Sequence, residues 1–437
     1  MKKRLHLCIG IALSSIVTSV WADTLADIYE LAKHNDTQVL RAAAERDAAY
    51  EAIQSTRGDL LPQINLSAGY NITNSDITSG DSSRFTGDVT LSQTLYNRSS
   101  WINLDTAEKS ARQVDSQYAS IQQNLILRVS NAYFEVLRAK DNLAFVRAEK
   151  AAVSRQLEQT KQRFEVGLSA ITDVHDAQAQ FDSVLADEVL AENSLNNSYE
   201  AIREITGEEH NALSSLDTKR FSARKISDTV EKLLKDAQTK NLSLLTARIS
   251  QDIARDKIKL ADSGNLPTLS LNANYNLLKE YNDKNTYYDV YDPANNLSLG
   301  LQLSVPLYTG GKITSLTKQA EYGLIQASEQ LEATYRSVVK HVRANYNNIN
   351  ASIGAIRAYN QALISAKSAL QATEAGFEVG TRTIVDVLDS TRRLYNAKKN
   401  LSDARYDYIL SVLQLRQSVG TLDEQDIIDI NAGLKKK

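Results

Sequence analysis

Two halves of the chain carry the same segments in the same order. LPQINLSAGY (61–70) matches LPTLSLNANY (266–275), SQTLY (92–96) matches SVPLY (304–308), and RFEVGLSAITDVHDAQ (163–178) matches GFEVGTRTIVDVLDST (376–391). Ordered matches of this kind point to duplication of one structural unit. The offset between copies grows mainly between the two strand-like segments, so the loop joining them is longer in the second copy. The units are expected at residues 23–227 and 228–437. Each reads as a helix, a β-hairpin (63–96 and 268–308), a long helix, a tip hairpin near residue 167 or 380, a short helix and an equatorial segment.

The hairpin segments alternate with a period of two. Ile64, Leu66, Ala68, Tyr70 and Ile72 oppose Asn65, Ser67, Gly69 and Asn71. Leu297, Leu299, Leu301, Leu303, Val305 and Leu307 oppose Ser298, Gly300, Gln302 and Ser304. Phe85, Val89 and Leu91 repeat the pattern, as do Leu269, Leu271, Ala273, Tyr275 and Leu277. Strands of roughly ten residues suit a tilted crossing of a bilayer. Four such strands cannot close a barrel, and an open edge in lipid leaves backbone groups unsatisfied. Several chains must therefore pool their strands; the strand count alone allows two, three or four. The connections at 73–84 and 279–296, with Tyr287, Tyr288 and Tyr291 in the longer one, are expected outside the cell.

The other segments (24–60, 100–165, 170–205, 228–262, 313–378 and 383–418) are rich in Ala, Leu, Gln, Glu, Lys and Arg, the composition of helices. Val129, Val136, Leu143, Lys150, Leu157 and Phe164 recur every seven residues, as do Val342, Ile349, Ile356, Leu363, Leu370 and Phe377. A sustained heptad means coiled-coil packing. The two long helices should reach roughly 100 Å, and the short ones roughly 54 Å. Two short helices end to end then match one long one, giving a cylinder of even height. Pro62 and Pro267 end helices before strands. Gly167 and Gly380 suit the positive-φ position after a helix, at the far end from the strands. Segments 207–227 and 420–437 fall midway along the cylinder as a small belt.

The first 22 residues read as a secretory leader: Lys2, Lys3 and Arg4, an apolar stretch from Leu5 to Val20, and Val20-Trp21-Ala22 as a cleavage site. Its removal takes the formal charge from −3 to about −6 and carries off Cys8, the only cysteine. Disulfides and cysteine-based metal or catalytic sites are thereby excluded. The balance of charge offers no basic field for nucleic acid. His34, His210 and His341 are isolated in sequence, and His175 sits beside acids. No phosphate-binding glycine loop or nucleophile elbow occurs, so neither a cofactor nor an enzyme is expected. Asp173/Asp176 and Asp386/Asp389 are the paired carboxylates in matching places. Their plainest role is at solvated helix N-termini, where the dipole favours acids.

FEVGTRTIVDVLDSTRRLYNAK (377–398), QRFEVGLSAITDVHDAQAQ (162–180) and NLSLLTARISQD (241–252) carry a further signal. In these motifs, and along nearly all of the mature sequence, the chain resembles the TolC family of outer-membrane efflux and secretion ducts. The resemblance implies a homotrimer in the outer membrane of a Gram-negative bacterium. A twelve-stranded barrel would stand there on a twelve-helix periplasmic tunnel of coiled coils. It also implies recruitment by a periplasmic adaptor of the membrane-fusion type and by an inner-membrane RND, ABC or MFS pump. Carried over by position, Asp386 and Asp389 form a lumenal acidic ring able to hold a blocking cation, with no intrinsic metal. Arg382 on the inner hairpin, with Thr172, Asp173 and Gln156 on the outer one, forms a closed-state latch. Phe377 stands where the family is expected to have a tyrosine, so it offers no hydroxyl, and Arg382 becomes the stronger latch. Gly167, Leu168, Gly380 and Thr381 are candidates for adaptor contact. A coiled-coil structural or adhesive surface protein is the alternative; it explains the heptads but not the membrane-length strands.

Overall fold

The computed structural model describes residues 22–73, 82–282 and 294–435. The body of the leader and the centres of both inter-strand loops, including Tyr287, Tyr288 and Tyr291, lie outside them. In chain order the elements are α1 (Leu25–Asn35), α2 (Thr37–Gly58), β1 (Gln63–Thr73), β2 (Ser82–Tyr96), α3 (Arg98–Glu165), α4 (Ile171–Thr206), α5 (Val230–Lys240), α6 (Leu242–Asp262), β3 (Thr268–Asn282), β4 (Ala294–Ser304), α7 (Lys312–Glu378), α8 (Ile384–Val419) and α9 (Glu424–Asn431). Among the described residues, no helix is long and apolar enough to cross a membrane.

The four strands form one antiparallel sheet in the order β1-β2-β3-β4. Its register turns the alternation of each strand into rows. Leu66 pairs with Val89, Val89 with Tyr275 and Tyr275 with Leu297; a parallel row joins Ile64, Leu91, Ala273 and Leu299. The opposite face carries rows such as Ser67, Asp88, Asn276 and Asn296. A one-residue slip would mix the two faces, so the pattern itself fixes the register. The apolar rows stand uncovered in the single chain: Leu66 is 77% exposed and Leu299 73%. The edges β1 and β4 carry unpaired backbone groups. β4 stops at Ser304, short of the expected Leu307. Pro306 lacks the N–H that a ladder needs, and Leu307 and Tyr308 turn out into solvent.

The helices form two layered sets. α3, 68 residues long, packs along α2 towards the sheet and along α4 towards the tip. α7, with 67 residues, does the same with α6 and α8. Each long helix reaches roughly 100 Å. The heptad positions Val129, Val136, Leu143, Leu157, Val342, Ile349 and Ile356 are buried. Lys150 breaks the apolar seam and pairs with Glu188 at 2.7 Å.

The helices expected at 24–60 and 228–262 are each broken in two. Asp36 and Asn241 end one helix and begin the next. Their own N–H groups donate to the carbonyls of Ala32 and Ala237, while their side chains accept from the N–H groups of Val39 and Leu244. Asp and Asn are strong N-caps, and here the cap competes successfully with a continuous helix. Asn241 is also tied to the Ser418 carbonyl at 2.9 Å. Gly420 is required beside it: its φ is 84°, and a Cβ there would lie 2.3 Å from the Lys240 carbonyl oxygen.

The main core lies at mid-height, where α1, α3, α4 and α8 meet Leu213, Leu216, Leu422, Ile427 and Leu434. Single β-bridges join Asp23 to Leu213 and Leu216 to Leu434 beside this core. Tyr133 is fully buried and donates to the Ser214 carbonyl at 2.6 Å. His210, isolated in sequence, packs beside this core with its side chain buried. Its Nδ1 lies 2.8 Å from the Asp23 carboxylate and its Nε2 3.0 Å from the Thr206 hydroxyl.

Candidate functional site

The candidate site is the tip where two helical hairpins lie side by side, one from α3 and α4 (the outer hairpin of the resemblance) and one from α7 and α8 (its inner hairpin). Each turn closes in the same way. Leu168 N–H donates to the Arg163 carbonyl at 2.8 Å, and Thr381 N–H to the Gly376 carbonyl at 2.8 Å. Gly167 and Gly380 supply the left-handed residue at φ 74° and 79°. This is the glycine-ended helix stop expected there. The turns leave Val166, Leu168 and Val379 at least 69% exposed, alongside Gly167, Gly380 and Thr381.

Val153, Leu157, Ala177, Val184, Ile384, Val387 and Leu388 hold the hairpins together, with Phe377 half-buried against them. Gln156 crosses the seam: its Nε2 donates to the hydroxyl of fully buried Thr391 at 3.0 Å. Its Oε1 is buried without a partner. Beside it lies a cavity of about 310 Å³, lined by Gln156, Gln159, Phe377, Ile384 and Val387 among others.

Asp386 is the third residue of α8 and closes a capping box. Its carboxylate accepts from the Thr383 N–H and hydroxyl, both at 3.0 Å. These bonds, the backbone one first, hold its pKa below the usual aspartate value, with a contribution from the Arg382 charge. Asp389, one turn on, is ion-paired to Arg392 at 2.9 Å and Arg393 at 2.6 Å. The two acids therefore differ: one is capped by neutral donors, the other is held between two arginines. In the first copy of the unit the box is altered. Ala170 has no oxygen with which to cap α4, and Asp173 instead accepts from the Ser169 hydroxyl at 2.6 Å and the Ala170 N–H at 3.2 Å.

Among the other expected latch residues, Arg382 and Asp173 do not meet within the chain. The Arg382 guanidinium forms no hydrogen bond or ion pair with any described residue, and Thr172 is exposed without a side-chain partner. Sequence reasoning missed Arg163. It reaches from α3 to the end of α7 and lies 4.6 Å from the centre of the Phe377 ring. Nothing local marks it out, because its acceptors are backbone carbonyls 214 and 215 residues away. His175 and Asp176 lie exposed on α4. Among the described residues, no group of three or more His, Cys, Asp or Glu is placed to hold a metal.

Known proteins share this architecture. A family model described as outer membrane efflux protein matches residues 28–208 and 233–421. The chain is 67% identical over 437 residues to outer membrane protein TolC of Vibrio cholerae serotype O1, covering 100% of this chain and 99% of that protein. It is 29% identical over 440 residues to the alkaline protease secretion protein AprF of Pseudomonas aeruginosa, covering 98% and 90%. Among solved structures, the Campylobacter jejuni CmeC outer membrane channel superposes with a TM-score of 0.78 at 16% identity, over 94% of this chain and 90% of that one. The chain belongs to the outer membrane efflux protein family.

Proposed function

We propose that this protein is the outer-membrane exit duct of tripartite multidrug efflux and type I protein secretion systems. One observation carries this reading: a four-stranded sheet, apolar on one face and open at both edges, stands on helices roughly 100 Å long. Three copies supply twelve strands, β4 of each chain pairing with β1 of the next, so that no edge remains in lipid. The long helices then continue the barrel as a periplasmic tunnel. A coiled-coil adhesin accounts for the heptads but leaves the exposed apolar rows of the sheet without purpose.

At the tip, Asp386 and Asp389 of three chains form the lumenal ring, where a multivalent cation blocks flow. Arg382 serves the latch with Thr172, Asp173, Gln156 and Phe377, and its guanidinium, with no hydrogen bond or ion pair among the described residues, stays open to a neighbouring chain. Gly167, Leu168, Gly380 and Thr381 meet the periplasmic adaptor, with the apolar Val166 and Val379 beside them. The pump supplies selectivity, and the duct supplies passage.

The test is complementation. In a Gram-negative host lacking its own exit duct, the full chain is expected to restore growth on a pumped toxic compound. Failure to restore growth while the protein reaches the outer membrane, with a matching adaptor and pump present, contradicts the reading.

A further inference from the structure

Positions 163 and 376 match in the two copies, yet one holds arginine and the other glycine. The difference has a geometric counterpart. Arg163 Nη1 donates to the carbonyl of Phe377 at 3.2 Å, and its Nη2 to the carbonyl of Glu378 at 3.3 Å. These are the last two residues of α7, where the helix dipole favours a cation; the Phe377 carbonyl also accepts the Gly380 N–H at 3.2 Å, so Arg163 is its second donor. A basic side chain commonly caps such an end from its own helix. Here it comes from the other hairpin. At the matching place in the inner hairpin, the Gly376 carbonyl accepts from the Thr381 and Arg382 N–H groups at 2.8 and 3.2 Å. A Cβ on Gly376 would lie 2.7 Å from the Arg382 Cγ. An arginine there would displace Arg382, so the two copies have diverged in complementary ways.

We propose that Arg163 is a positioning residue that pins the end of the inner hairpin to the outer one and thereby holds the tip in its resting arrangement. The proposal rests on the exit-duct reading. Because the guanidinium grips main-chain oxygens, the link does not depend on a hydroxyl at position 377. The Phe377 ring adds a cation–π face, the smaller part of the contact.

The experiment is resting conductance of the purified full chain in a planar bilayer, with oligomer mass and melting midpoint measured on the same preparations. Arg163→Ala is expected to raise the resting open population roughly tenfold with oligomer mass unchanged. Lys161→Ala removes an exposed charge from the same end of α3 that grips no carbonyl of α7, and is expected to stay within about twofold of the unaltered chain. Unchanged conductance in Arg163→Ala overturns the proposal. So does opening by Lys161→Ala as large as that by Arg163→Ala. A rise accompanied by loss of oligomer mass overturns it too, by assigning Arg163 to assembly. Absence of any conducting species, in the unaltered chain and every variant, defeats the exit-duct reading and this proposal with it, which tells the two failures apart.

Discussion

Asp386 and Asp389 lie on one helix, but their surroundings give them different work. Asp389 shares its charge with Arg392 and Arg393, whereas Asp386 has only hydroxyl and N–H donors. Asp386→Ala is therefore expected to weaken cation preference and multivalent-cation block more than Asp389→Ala does. Equal effects in single-channel recordings contradict that ranking. Removing both Arg392 and Arg393 is expected to strengthen cation preference. The pH dependence follows from the sign of the shift. Asp386 has its folded pKa depressed below the ordinary 3.8, so its charge and its cap persist above that value and fade only as pH falls through the lower one. Cation preference should thus hold from about pH 7 to about pH 5; loss within that window would assign the preference to another group. The acids and the tip glycines were legible in sequence because they sit in local motifs. The two arginines on Asp389 were also within one turn and could have been read by their spacing. Arg163 could not, because its acceptors are backbone atoms on another hairpin.

At the scale of elements, period-2 and heptad patterns revealed which segments are strands and which are helices. They did not show the breaks at Asp36 and Asn241, since residues of good helix propensity such as Leu, Ala, Lys, Gln and Arg lie on either side. The breaks come from side-chain caps that compete locally with the helix. Asn241→Ala removes a cap and the bond to the Ser418 carbonyl at once, and is expected to cost about 1–3 kcal/mol. The readout is thermal unfolding in detergent; a midpoint equal to that of the unaltered chain would show that the break is held by packing alone. β4 was read too long because the alternation runs on past Ser304, although Pro306 was visible and forbids a ladder bond. The burial of His210 was not legible for the opposite reason: its partner Asp23 is 187 residues away.

For the whole molecule, one chain is an unfinished object. Its sheet has two open edges and an uncovered apolar face, while its long helices expose apolar side chains such as Leu316 and Ile325. Strand counting alone left two, three or four chains possible, and the family resemblance selects three. The central claim is that several chains close one barrel and conduct through it. The most direct measurement is the native mass of the detergent-extracted species that conducts in a planar bilayer. The account predicts three chains in that species. A conducting monomer, or a stable monomer that never conducts, would contradict it.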